Sequence, residues 1–315
     1  MRRFLFSAAF ALVVASAAAQ ETGGEPSALG CADFRGQTTQ VLAGNPDSLQ
    51  INNLLFEAAR KGCVNSLDAL FKAGASRLAR DRIGNTPLAI AARAGRLAVV
   101  KALLLSATPD EAAQIDRPNV LGSTPLIQAV QSGRTEVAKA LIEAGAKIDA
   151  VNAQGETALS AAAFTANVEL AALLLAHKAR PDTIDATGKS VIVYAAARGA
   201  APLVEALLDA GVEVNARYRA DLTALMWAAG HTDDTAAEAG LRTVKLLLSR
   251  GAKVDLVDDR GRNALMIASG QNHAAIAQAL VDAGADRQMR DKSGKSAADL
   301  AVTAQIKAIV AGQAP

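Results

Sequence analysis

Three histidines, two cysteines and a recurring aspartate are the residues of this sequence whose chemistry could be put to work. His177, His231 and His273 stand 54 and 42 residues apart, so no two of them form a metal-ligand motif such as H-E-x-x-H. Around His231 the run His231-Thr232-Asp233-Asp234-Thr235-Ala236-Ala237-Glu238 joins one imidazole to carboxylates. Such a set is conceivable as a divalent-cation site for a metal-dependent enzyme, but one histidine with two aspartates is a thin ligand set. Neither a G-x-S-x-G nucleophile elbow nor a phosphate-cradling G-x-x-x-x-G-K occurs. Asp81, Asp185, Asp258 and Asp291 could be read as paired catalytic carboxylates. They recur in glycine-containing turns, however, where an aspartate bonds its own loop backbone. These residues do not suggest an enzyme, and no cofactor is expected. Cys31 and Cys63 either form a disulfide or remain two separate thiols. The bridge would stabilise the chain by about 3 kcal/mol.

The first residues bear on which compartment those cysteines meet. Arg2 and Arg3 precede the apolar stretch Phe4 to Val14, and Ala15-Ser16-Ala17-Ala18-Ala19-Gln20 follows. This is the layout of a secretory leader, cut after Ala19. An uncleaved anchor is the alternative, yet Phe4 to Ala19 falls short of the roughly 20 residues a span needs. Export places the protein in the periplasm or outside the cell, where an even number of cysteines favours the bridge. The leader also carries the charge excess, because 33 basic residues face 31 acidic ones and two of the basic ones are Arg2 and Arg3. Beyond residue 19 the chain is balanced, so neither nucleic acid nor an anionic membrane is an expected partner.

Such residues must be held by a framework, and spacing identifies it. Thr86-Pro87-Leu88, Thr124-Pro125-Leu126 and Thr157-Ala158-Leu159 are followed by Ser190-Val191-Ile192, Thr223-Ala224-Leu225, Asn263-Ala264-Leu265 and Ser296-Ala297-Ala298, with Asn53-Leu54-Leu55 one step earlier. Five of the seven intervals are 33 residues and the others 38 and 40. The lead residue is always Asn, Thr or Ser, a helix N-cap. Two residues before it stands Gly84, Gly122, Gly155, Gly188, Gly261 or Gly294, with Asp221 once, marking a turn of positive φ. Alanine pairs such as Ala91-Ala92 and Ala195-Ala196 allow close helix approach. Larger residues such as Val99, Val100, Leu103 and Leu104 fill a second helix. With 51% hydrophobic residues but only 3% aromatic ones, the composition suits thin stacked layers.

D-x-x-G-x-T-P-L at Asp81 to Leu88, A-A-x-x-G at Ala91 to Gly95 and the leucines beyond resemble the ankyrin-repeat family. The resemblance runs from about Ile51 to the C-terminus. It implies an all-α solenoid of about eight stacked helix-turn-helix units with projecting β-hairpin loops, stabilised between neighbours. Residues 1–19 are then leader, 20–50 an N-terminal segment and cap with Phe34, Val41 and Leu42 for packing, and 51–315 the repeat domain. The repeats start near 48, 81, 119, 152, 185, 218, 258 and 291, and the last ends in a shortened second helix. The family's histidine after T-P-L is replaced by Ala89, Ile127, Ser160, Val193, Met226, Met266 and Asp299, so apolar packing is expected to replace its hydrogen bonds. Insertions fall around Thr108 to Ile115 and within His231 to Gly240.

In the family, partners meet loop tips and the exposed surface of the inner helices. Carried over by position, the candidates here are Arg93, Phe164, Arg198, Tyr218, Arg219 and His231. Phe164, Arg198, Tyr218 and Arg219 fall in three successive repeats and would line one concave stretch. Phe164 could equally fill a gap between repeats, with the arginines solvated. Tyr194 and Trp227 are expected to face the core. The function implied is a monomeric, non-enzymatic scaffold that binds an envelope protein and has no membrane span after leader removal. Alternatives are an immunity-type inhibitor that occludes a toxin's active site, a metal-dependent enzyme using the His231 loop, and a structural spacer.

Overall fold

The computed structural model describes residues 28–105, 115–230 and 236–312. Helix α1 (Ala28–Ala43) precedes eight helix pairs among these residues. They are α2 (Ser48–Lys61) with α3 (Leu67–Lys72), α4 (Pro87–Ala94) with α5 (Leu97–Leu105), and α6 (Pro125–Gln131) with α7 (Thr135–Glu143). The series continues with α8 (Ala158–Phe164) and α9 (Val168–Ala176), α10 (Val191–Ala197) and α11 (Ala201–Asp209), and α12 (Ala224–Ala229) and α13 (Ala237–Ser249). It ends with α14 (Ala264–Gly270) and α15 (Ala274–Asp282), then α16 (Ala297–Leu300) and α17 (Ala304–Ala311). The first helix of each pair packs on the first helices of its neighbours, and the second on the second. The result is an all-α solenoid with an inner and an outer row. No helix among the described residues is long and apolar enough to cross a membrane.

The caps account for the starts. The hydroxyls of Thr86, Thr124, Thr157, Thr223 and Ser296 and the amide oxygen of Asn263 each accept from the amide three residues on. Such a bond is worth about 1 kcal/mol. Ser190 occupies the same position without a side-chain bond to the first turn. Asn53 does not cap. The first inner helix starts earlier, because Asp47 and Gln50 form a reciprocal capping box and no turn glycine stands before Asn53.

Small side chains set the layer spacing. Ala58, Ala59, Ala91, Ala92, Ala162, Ala195, Ala196, Ala228 and Ala229 are sealed between inner helices. Leu70, Leu141, Leu170, Leu174, Leu203 and Leu207 fill the space beneath the outer row. At the positions of the family's missing histidine, Ala89, Ile127, Val193, Met226 and Met266 are buried, so apolar packing does replace its bonds there. Ser160 and Asp299 instead reach back to the amides of Thr157 and Ser296. Turns without glycine keep its geometry, with φ of 53° at Ala166 and 62° at Asn272 between the helices of a repeat and 66° at Lys178 after an outer helix.

The projecting loops hold no strand among the described residues, only isolated antiparallel bridges at Ile184–Ser190 and Arg290–Ser296. The Asp81 amide closes the turn by donating to the Asn85 carbonyl at 3.0 Å, and Asp81 Oδ1 braces it by accepting from the amides of Ile83 and Asn85, at 3.0 and 2.8 Å. One backbone bond then joins each loop to the next, from the amide of Val120 to the Ile83 carbonyl, Ala153 to Leu121 and Ala186 to Gln154. Asp185, Asp258 and Asp291 close their loops in the same way, the turn role expected of them.

The ends depart from expectation in two details. Phe34 is buried, but Val41 is 38% exposed, because only one side of α1 meets the stack. In the last repeat the inner helix is the short one, with four residues against eight in α17. Residues 1–19, where a leader is expected, and most of the first insertion lie outside the described residues, as do His231, Asp233 and Asp234. The rest of the second insertion lengthens α13 to 13 residues, where the outer helices before and after it have nine. Its second half is therefore helix, not loop.

Candidate functional site: aromatic rings and cations on the inner helices

The inner helices α8, α10 and α12 each carry one ring toward a shared strip. Phe164 ends α8, Tyr194 lies mid-helix in α10, and Trp227 holds the equivalent place in α12. Tyr194 and Trp227 stand four residues after their caps and Phe164 seven after its own, and such positions share a helix face. The Phe164 and Tyr194 rings meet edge to face, with centroids 5.7 Å apart. Phe164 is nonetheless 49% exposed.

Cations cover these rings. The Arg198 guanidinium lies 5.0 Å from the Phe164 centroid. Lys189 Nζ stands between two rings, 5.6 Å from Tyr194 and 5.3 Å from Trp227. Each such contact is worth about 0.5–1 kcal/mol at an exposed site. The indole N–H of Trp227 is buried without a hydrogen-bond partner, so packing and Lys189 hold that ring. Tyr194 is fixed more firmly, because its hydroxyl donates to Asp185 Oδ2. Asp185 Oδ1 meanwhile accepts from the Thr187 amide and hydroxyl, each at 2.7 Å, and from the Lys189 amide. One loop carboxylate thus closes its turn and orients a ring of the strip.

This arrangement moves the acidities apart. Burial pushes the Tyr194 phenol up, and its bond to Asp185 pushes it further, to about 12. Burial also raises Tyr218. Asp185 is pushed up by burial, but the bonds from Tyr194, Thr187 and Lys189 outweigh that and hold it below the usual carboxylate value. The chain has only two tyrosines, so an absorbance titration of the native protein reads both. Tyrosinate is expected to form well above the ordinary value of about 10, returning to it in urea. The fold holds these protons more tightly than the unfolded chain does. For Tyr194 the stability so contributed is complete below about pH 10 and lost as the pH rises from there toward 12, and Tyr218 acts in the same direction. Half-ionisation of both tyrosines near 10 in the native protein would contradict this geometry.

The candidates from sequence divide. Phe164 and Arg198 come together as one contact. Tyr218 and Arg219 belong instead to the neighbouring loop. The Tyr218 ring packs on the core, the Arg219 amide donates to the Gly188 carbonyl, and its guanidinium donates to the Thr187 carbonyl at 3.4 Å. Arg93 is exposed two repeats before Phe164, and His231 lies outside the described residues. Tyr194 and Trp227, expected to face the core, do pack against it while staying half-buried, and Tyr194 also meets Phe164. At their register position Ala161 is sealed, whereas a ring exceeds the slot and extends onto the face. A count of four residues from each cap, combined with ring size, would have found them. Among the described residues no group of histidine, cysteine, aspartate or glutamate side chains is arranged to hold a metal.

Comparison with known proteins agrees with this geometry. A family model described as ankyrin repeats (3 copies) matches residues 55–152, 108–185, 126–218 and 234–311. The chain is similar to ankyrin repeat domain-containing protein 63 of Homo sapiens, 40% identical over 83 residues, which is 26% of this chain and 21% of that protein. The Mus musculus protein of the same name is 37% identical over 83 residues, 26% of this chain and 20% of its own length. The chain thus spans about a fifth of the length of these curated relatives. A 33-residue period, inner and outer helix rows, capped helix starts and a family match over most of the sequence lead to one conclusion: the chain belongs to the ankyrin-repeat family.

Proposed function

We propose that this protein is an exported scaffold that grips a protein of the cell envelope through the ring strip on its fourth to sixth repeats. Ankyrin repeats indicate a protein–protein interaction scaffold, and one observation selects the face. Phe164 is a large ring left half open to solvent, backed by Tyr194 and overlaid by Arg198. Aromatic and arginine side chains dominate the energetic centres of interfaces, and rigid rings lose little entropy on docking. Export is supported by the leader-like first residues and by Cys31 and Cys63, whose Cα atoms lie 5.3 Å apart. A bond between them would persist in an oxidising compartment.

The test is affinity capture from the envelope fraction of the native host, comparing the mature protein with Phe164→Asp. Because Phe164 ends its helix and is half exposed, the variant should fold. One protein held by the wild type and lost by the variant is the expected result. The same protein held equally by both would remove the strip from the interface, and no capture at all would remove the scaffold reading.

A further inference from the structure

Four arginines from three successive repeats meet along the edge where the inner helices end. Arg60 lies in the last turn of α2 and Arg93 in that of α4, Arg96 follows α4, and Arg134 precedes α7. They are linked in space. Arg96 Nε donates to the Arg60 carbonyl at 3.0 Å, and Arg134 Nε to the Arg93 carbonyl at 3.4 Å. Arg134 crosses Gly95 closely enough that a Cβ there would stand 2.8 Å from Arg134 Cδ. Each bond joins one repeat to the helix end of the repeat before it.

Cations at helix C-termini are favourable, but each helix end offers only about half a negative charge. That accounts for the two Nε bonds but leaves the charge of Arg60 and Arg93 without a counter-charge among the described residues. Among the described residues Arg60, Arg93 and Arg134 make no ion pair, and the guanidiniums of Arg60 and Arg93 donate no hydrogen bond. All three are exposed. Lys61 beside them is instead paired with Glu57 at 2.7 Å. A cluster of open guanidinium forks repels itself, and its best complement is a carboxylate bound through two parallel N–H···O bonds.

We propose that this edge receives an acidic segment of the partner protein, with aspartates or glutamates meeting Arg60, Arg93 and Arg134. The proposal rests on the scaffold reading above and extends its face, because the next inner-helix ends along the row are Gln131 and Phe164. Charge complementarity selects the occupant. A nucleic acid fits less well, since with 33 basic and 31 acidic residues the chain lacks the broad positive field a phosphate backbone calls for.

Fluorescein-labelled poly-L-glutamate titrated into the full chain at low ionic strength, followed by anisotropy, tests this edge. The Arg60→Glu/Arg93→Glu variant changes side chains that make no bond among the described residues, and circular dichroism verifies that it folds. Lys139→Glu/Lys245→Glu makes the same charge change on exposed outer-helix positions. Binding by the wild type and the outer variant, weakened about tenfold or more in the arginine variant, is expected. No binding by the wild type, or equal losses in both variants, would overturn the edge. Single-stranded DNA of equal charge displacing the polyglutamate would overturn the carboxylate partner. Envelope capture varies Phe164 and uses no polyglutamate, so the two readings can fail separately.

Discussion

Gly122→Ala is expected to cost about 3 kcal/mol of unfolding free energy, while Gly294→Ala costs about 1. Both glycines occupy the same loop position in left-handed backbone, with φ of 75° and 78°. They differ in what surrounds them. A Cβ on Gly122 would stand 2.7 Å from the Ala153 amide nitrogen and 3.1 Å from the Asn152 backbone. Those atoms belong to the next loop, and the Ala153 amide is the donor that ties it to Leu121. Gly294 has nothing within 4 Å of its virtual Cβ, so only the conformational penalty remains. Urea unfolding of the two variants separates the terms. Equal losses would mean that the loops do not touch as described.

Removing both cysteines, as Cys31→Ser/Cys63→Ser, is expected to cost about 4 kcal/mol, the size predicted for a cross-link of this span. The two residues are 32 apart in sequence, and the cross-link joins α1 to the turn after α2. Phe34 is sealed beneath that join, with Lys61 Nζ 5.1 Å from its ring. Stability in stacked repeats is held between neighbours, so the loss should be local. Hydrogen exchange should accelerate in α1 to α3 and stay unchanged in α10 and α12. A thiol-reducing agent should reproduce the effect on the native protein. No change on reduction would show that the sulfurs are unbonded, and uniform acceleration along the chain would show that the stack opens as one unit.

Much of this architecture is legible in the residues, and the failures have physical causes. Period, N-caps and turn glycines identify the helix pairs because each reports a local backbone requirement that neighbours cannot override. Asn53 misled because periodicity carries a position forward without testing its surroundings, and Asp47 with Gln50 starts that helix sooner. The projecting loops are turns closed by backbone bonds, the Asp81 amide to the Asn85 carbonyl among them, and braced by the Asp81 carboxylate, too short to form strands. Site geometry is harder to read. Phe164 and Arg198 were found by register. Tyr194 and Trp227 pack on the core as expected, but polarity alone does not show that a ring outgrows a slot that admits alanine and so reaches the open face. The bond from Tyr194 to Asp185 joins residues nine apart across a loop and a helix, and neither residue signals it.

The two ends of the stack are built to different standards, and this gives the molecule a direction. At one end α2 buries five residues beneath a helix tied to it through cysteine. At the other, the four-residue α16 buries only Ala297. Pulled or digested, such a chain should peel from its last repeat toward its first, shedding units in sequence. The ring strip, set in the fourth to sixth repeats, would outlast the tail. Trimming from the C-terminus would therefore shorten the protein well before it disarmed it.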